Sequence, residues 1–194
     1  YKNIIGSKRF SWRYLYNQYK KEERIKNSLA ASYVNEIKIK VENEIRAICK
    51  ELTNLVDNYL LQSSDDPEYK VYFLKLKADY YRYLCEFTKD EEFDISLNSA
   101  EKFYKEAHEI AEKYLTTIST TRLGTALNYS VLLFEIKNQR EEASNIAKAA
   151  LDEGLKVLDD LEKNKQKDTI LIIQLLMENL ILWNSEEKDQ DQQD

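Results

Sequence analysis

Three glycines and one proline in 194 residues leave this chain few ways to turn. Left-handed and tightly turned backbone is cheap for Gly, and Pro pre-sets the commonest turns. A hairpin-rich sheet needs a supply of both, so long helices with few connections are favoured. The apolar pattern agrees: Val34, Ile37, Val41, Ile45, Ile48, Leu52, Leu55, Val56 and Leu60 recur at three- and four-residue steps. No alternating run punctuated by Gly marks a strand. Fourteen tyrosines argue against disorder over most of the length. The expected class is all-α, an array of antiparallel helix pairs joined by short connections.

Helices are expected over about 1–20, 28–61, 67–87, 96–115, 121–138, 140–161 and 166–184. Lys20 to Lys26 reads as a charged connection, Lys89 to Asp94 as an acidic surface loop, and Thr116 to Thr121 as a polar loop. Asp66 is an N-cap with Pro67 at the first helical position. Gly6 inside the first helix costs ~1 kcal/mol against Ala and lets another backbone or a ligand come close. Residues 1–184 read as one domain and 185–194 as a disordered acidic tail. Tyr1 is not a Met, and the helical pattern is already running by Trp12, so an N-terminal piece is expected ahead of it.

Net charge is −6, which argues against non-specific binding to a nucleic-acid backbone. Much of that net charge sits in Glu186, Glu187, Asp189, Asp191 and Asp194, so the body is only mildly acidic and can carry a local cationic patch. Cys49 and Cys85 lie inside helical patterns and read as reduced core thiols, which suits a cytoplasmic or nuclear protein. The most apolar stretch, Thr169 to Trp183, is too short to span a bilayer and contains Gln174, Glu178 and Asn179. His108 is the only histidine, so no His-Cys or multi-His zinc site can form, and it reads as a helix-surface or half-buried residue. Gly6-Ser7-Lys8 lacks the upstream glycine spacing of a P-loop. No nucleophile-base pair, metal cluster or nucleotide motif suggests an enzyme, and no cofactor is expected.

What remains is a set of basic residues at helical spacing. At ~100° per residue, Lys2, Arg9 and Arg13 fall within roughly 20° of one line down a helix. A later helix carries Arg82-Tyr83 with Lys75, Asp79 and Glu86 on the same stripe. Arg supplies a planar fork of donors, Lys a point charge and Tyr a hydroxyl, the groups that a dianionic phosphate takes. Asp79 and Glu86 read as counter-charges that orient the cluster, because unpaired adjacent cations repel. Two asparagines on apolar faces, Asn128 and Asn179, can each offer a donor and an acceptor to one peptide unit. Leu175, Asn179 and Leu182 share a face, as do Leu171, Leu175 and Leu182. One cationic wall and one Leu/Ile/Val wall with Asn make an amphipathic groove for a phosphoserine or phosphothreonine peptide.

Several long blocks resemble 14-3-3 proteins: Tyr1-Lys2-Asn3-Ile4-Ile5-Gly6 with Ser11-Trp12-Arg13, Lys75 to Leu84, Arg122-Leu123-Gly124 through Val131, and Lys167-Asp168 through Trp183. They run in order from residue 1 to about 184. The resemblance implies a cup-shaped dimer of nine-helix subunits, of which about seven helices are present here, binding phosphorylated Ser/Thr motifs with Arg upstream and Pro downstream, without catalysis. It places phosphate on Lys2, Arg9, Arg82 and Tyr83. It places the peptide against Arg13, Lys75, Leu127, Asn128, Val131, Glu135, Leu171, Ile172, Leu175, Asn179, Leu182 and Trp183. It also implies homo- or heterodimerisation through N-terminal helices that this sequence does not contain. Phe10, Tyr14 and Tyr16 are bulky departures beside the groove helix. Ser11, after Lys8 and Arg9, fits a basophilic kinase site but reads more readily as a plain helix serine. The competing reading is a tetratricopeptide-like scaffold for unmodified peptides, suggested by small residues at Ala126, Ala143, Ala147, Ala149 and Ala150, though no second copy appears at the ~34-residue period.

Overall fold

A computed structural model describes residues 1–157 and 166–191. Among the described residues there are seven helices and no strand: α1 (Lys2–Arg24), α2 (Ser28–Leu55), α3 (Pro67–Leu84), α4 (Asp90–Tyr114), α5 (Thr120–Val131), α6 (Arg140–Leu155) and α7 (Lys167–Asp191). α2 and α5 each run on into one π-helical turn, Val56–Leu60 and Leu132–Ile136. Asp66 caps α3 as its composition suggests: its side chain accepts from the Glu68 backbone N–H, and Pro67 opens the helix.

Three boundaries differ from the expectation, each for a local reason. α1 does not stop at Lys20 but continues to Arg24, because the Lys/Glu/Arg run is made of good helix formers and Glu23 ties back to Tyr19 and Lys20. α4 begins at Asp90, inside the expected acidic loop; Asp90, Glu91 and Glu92 fill its first turn, where the helix dipole favours negative charge. α7 passes Ser185 and extends to Asp191, through most of the segment expected to be a disordered tail; that stretch contains no Gly or Pro to stop it. Residues 192–194, and the 158–161 end of the expected sixth helix, lie outside the described residues.

The shortage of glycine is met by strain elsewhere. Lys26 (φ 59°), Asp90 (φ 50°) and Asn138 (φ 56°) take left-handed backbone at helix junctions, where no glycine is used. Such a conformation costs roughly 1–2 kcal/mol for an ordinary L-residue and less for Asn or Asp, so the packing must outweigh it.

Two main clusters do so. Ile5, Trp12, Ile45, Cys49, Leu52 and Tyr80 join α1, α2 and α3. The indole N–H of Trp12 donates to Glu42 at 2.8 Å, and Lys38 reaches the same carboxylate oxygen at 2.7 Å, so the buried acid is paired. Tyr104, Leu123, Leu133, Leu151, Leu176 and Trp183 join α4 through α7. Between the two clusters, Val71 and Leu74 of α3 meet Ala107 and Ala111 of α4, whose small side chains let the helices lie close. α3 touches α2, α4 and α5, which makes it the centre of the array. Both cysteines are buried and unpaired, and burial pushes their thiols up, Cys49 to about 12 and Cys85 to about 11, so neither is a ready nucleophile. No helix among the described residues is long and apolar enough to cross a membrane.

The glycines of α1 and α6 divide by packing. Among the described residues, a Cβ on Gly6 would meet nothing within 4 Å, whereas a Cβ on Gly154 would sit 2.8 Å from Cγ1 and Cδ1 of Ile173 on α7. Gly6→Ala is therefore expected to stabilise by about 1 kcal/mol through helix propensity. Gly154→Ala is expected to destabilise by about 1–2 kcal/mol through overpacking. Urea denaturation of the two variants checks the sign of each.

Candidate functional site

The open side of Gly6 is the floor of a cavity. Lys2, Gly6 and Arg9 on α1 face Tyr72, Lys75, Asp79 and Tyr83 on α3 across about 300 Å³. Steps of three and four residues place each set on one helix face, so the two helices need only lie side by side to bring the groups together.

Two guanidiniums lie near one phenol ring. Arg9 Cζ lies 3.7 Å from the Tyr83 ring centroid and Arg82 Cζ lies 5.2 Å from it. Those two distances together cap the separation of the guanidinium carbons at just under 9 Å. N–H donors that reach an oxyanion at ~2.8 Å can span that gap to one phosphate. Arg9 is already half committed: its Nε donates to Glu86 Oε1 at 3.0 Å and its Nη2 donates to the same oxygen. Arg13 Nη2 reaches that oxygen as well, at 3.0 Å. The edge of Arg9 bearing Nη1 is left for a ligand. Glu86 thus holds two cations side by side, and its Oε2 is buried without a partner among the described residues.

Arg82 is held by a different acid. Its Nε donates to the Tyr104 hydroxyl at 3.1 Å, and that hydroxyl donates to Asp79 Oδ1. Asn128 Nδ2 donates to the same Asp79 oxygen at 2.8 Å, and Lys75 Nζ to Oδ2 at 2.8 Å. Arg82 Nη2 stays 3.8 Å from Asp79 Oδ1, beyond a direct hydrogen bond. Burial works against the charge on Arg82, but the facing Tyr104 and Asp79 outweigh it and hold the guanidinium above its ordinary value. Burial, reinforced by Asp79, also pushes the Tyr83 and Tyr104 phenols up, so both keep their protons. The arrangement offers several N–H and O–H donors and spends its own carboxylates on orienting them.

Asp79 and Glu86 therefore touch the cations that the sequence assigns to them. Tyr104 escapes sequence reading: on α4 it continues the spacing of Ala100, Ala107 and Ala111, and nothing distinguishes it from a core aromatic. The apolar candidates are split by exposure. Leu171, Leu175 and Leu182 of α7 are exposed, while Leu127, Val131 and Ile172 are half-buried. Asn179 is half-buried on the same helix, and Glu135 is exposed on the π turn after α5. Trp183 differs from its expected place along a groove: it is only 2% exposed, and its indole stacks on Phe134 with centroids 4.4 Å apart. It anchors α7 to the π turn, because a ring of that size gains more from burial than from lining an open surface. Lys2 is exposed, and Arg13 is the most open of the arginines here.

The profile of the family described as "14-3-3 protein" matches residues 1–184. The chain is similar to a 14-3-3-like protein C from Glycine max, 42% identical over 186 residues, which are 96% of this chain and 72% of that protein. It is also similar to 14-3-3 protein beta/alpha from Gallus gallus, 41% identical over 186 residues, covering 96% of this chain and 75% of that protein.

One titratable group stands apart from the cluster. His108 of α4 stacks obliquely on Tyr129 at 5.9 Å, its Nε2 lies 3.6 Å from Glu112, and its Nδ1 is buried without a partner among the described residues. Burial lowers its pKa from the ordinary 6.5, with Glu112 only partly opposing the shift. The folded chain thus favours the neutral ring, while the unfolded chain takes up its proton near pH ~6.5. This contribution to stability is expected in full above that pH and lost as pH falls through the folded-state value. A single histidine proton resonance titrating below 6.5, together with falling urea resistance over the same range, checks both halves of this expectation.

Proposed function

This chain belongs to the 14-3-3 family, and on that premise we propose that its α1–α3 cavity and the apolar face of α7 form one groove for phosphorylated Ser/Thr segments of client proteins. The family's role is that of a non-enzymatic adaptor, and the chain is read as one. The approach of Arg9, which lines the α1–α3 cavity with Tyr83, and of Arg82, which is outside that lining, to the same phenol ring carries the proposal.

Each role follows from a donor left over. Arg9 gives its Nη1 edge, Arg82 its Nη groups, Tyr83 its hydroxyl, and Lys2 a mobile charge at the rim. Lys75 adds a donor from its place on Asp79. Asn128 spends its amide N–H on Asp79, so its carbonyl oxygen is the half available, and it accepts from a peptide N–H. Asn179 holds the chain on the far side. Leu171, Leu175 and Leu182, with Leu127, Val131 and Ile172 beneath, take the peptide side chains; Arg13 and Glu135 complete the rim. A phosphoserine brings about −1.5 to −2 charges. Three or four charge-assisted hydrogen bonds at ~1.5–3 kcal/mol each, less desolvation and ordering of the peptide, fit micromolar binding near −8 kcal/mol. Unphosphorylated Ser leaves both guanidiniums under-satisfied, which makes the interaction a switch. The proposed assembly is a homo- or heterodimer, for which exposed Phe10, Tyr14, Leu29 and Tyr33 offer apolar surface. Light scattering of the chain extended by the N-terminal helices of its family, giving a monomer at every concentration, would count against it.

Fluorescence anisotropy with an Arg-rich phosphoserine peptide and its unphosphorylated twin tests the central reading. Wild-type protein is expected to bind the first at least tenfold tighter. Arg9→Ala and Arg82→Ala are each expected to remove that preference while circular dichroism keeps its helical form. Asn179→Ala is expected to weaken both peptides and keep their ratio. Equal affinity of the wild type for the twins would instead favour a scaffold for unmodified peptides.

A further inference from the structure

Resting on the groove reading, we propose that Tyr104 is a positioning residue for phosphate recognition, whose hydroxyl holds Arg82 away from Asp79 and so keeps the guanidinium facing the ligand. Tyr104 is fully buried on α4 and contributes no surface to the groove. Its hydroxyl uses both of its capacities at once, accepting from Arg82 Nε at 3.1 Å and donating to Asp79 Oδ1. Its ring is fixed by a stack on Tyr129 with centroids 6.0 Å apart.

The hydroxyl resolves a conflict built into α3. Asp79 and Arg82 are three residues apart on one helix face, the spacing at which an Asp and an Arg pair directly. A direct fork would satisfy both groups and remove Arg82 from the ligand. Instead, Arg82 Nη2 remains 3.8 Å from the carboxylate, and Nε is turned to the phenol. Asp79 is left filled by Tyr104, Asn128 and Lys75, three donors that would otherwise be partly unpaired. The raised pKa of Tyr104 suits this use, since the phenol must remain a donor beside a carboxylate. One hydroxyl from α4 therefore links the cation proposed for phosphate to the amide proposed for the peptide backbone.

Removing the hydroxyl should release the trap. In Tyr104→Phe, Arg82 Nε loses its acceptor and Asp79 loses a donor, so the two close into a direct pair and Arg82 competes poorly for phosphate. Adding Asp79→Asn removes the charge that draws Arg82 inward, so the double variant should recover what the single one loses.

Anisotropy with the phosphoserine peptide and its twin, on wild type, Tyr104→Phe, Asp79→Asn and the double variant, tests this. Tyr104→Phe is expected to lower phosphopeptide affinity about tenfold and to leave the twin's affinity unchanged. The double variant is expected to regain most of the loss, giving a non-additive cycle. A Tyr104→Phe protein with native circular dichroism and an unchanged phospho-preference overturns the proposal, as do losses that simply add. A wild type that binds the twins alike overturns the groove reading, and this inference with it, and is told apart because it needs no variant. Should Tyr104→Phe not fold, the Arg82 Nε–H resonance of the wild type decides: slow solvent exchange supports the bond to the phenol, and fast exchange overturns it.

Discussion

A single carboxylate, Asp79, carries the arrangement on which the site rests. It is buried on α3, and it meets Lys75 of its own helix, Tyr104 of α4 and Asn128 of α5. A buried acid left unpaired costs several kcal/mol, so the three donors are not optional decorations. Their shared acceptor draws three helices into one register. It also fixes which face of Asn128 and which edge of Arg82 remain for anything else. In this sense the fold is organised around satisfying an anion of its own, and the donors left over are those proposed to receive another.

Glu86, just past the end of α3, does for α1 what Asp79 does for α4 and α5. Arg9 and Arg13 come from α1 and would repel each other, and the shared oxygen of Glu86 makes their approach favourable. The result is a cluster whose cations outnumber its two carboxylates before any ligand arrives, each acid positioning more than one of them. Preorganised donors of this kind need not be gathered at the moment of binding, which limits the ordering cost that a phosphate would otherwise impose. Tyr83 lies close to both guanidiniums and adds a protonated hydroxyl, since burial keeps its phenol from ionising.

Much of this was legible in advance, for identifiable reasons. Helical periodicity located every helix among the described residues, because apolar spacing reports which face is buried whatever it is buried against. Lys2, Arg9 and Arg13 could be placed on one line, as could Lys75, Asp79 and Glu86, since helix geometry alone sets those positions. Boundaries were less legible. Asp90 to Asp94 looks like a loop by composition, but acidic residues in a first turn are favoured by the helix dipole, and α4 starts there. Trp183 shares its helix with Asn179 and Leu182, yet packs inward on Phe134, because a π turn after α5 brings that ring to meet it. Tyr104 carried no signal at all: its partners lie on another helix, and a buried hydroxyl looks like any core aromatic in a string of letters.

The sequence by itself determined an all-helical chain, the faces each helix would bury, and the family to which the chain belongs. All of these depend on residue type and spacing along one helix, where 3.6 residues per turn is fixed. Tertiary structure alone decided which carboxylate each cation would meet, which edge of each donor would stay unspent, and which aromatic would be core. Those outcomes depend on contacts between α1, α3, α4 and α5, and the direction of a side chain across a helix interface is set by the partner helix rather than by its own sequence.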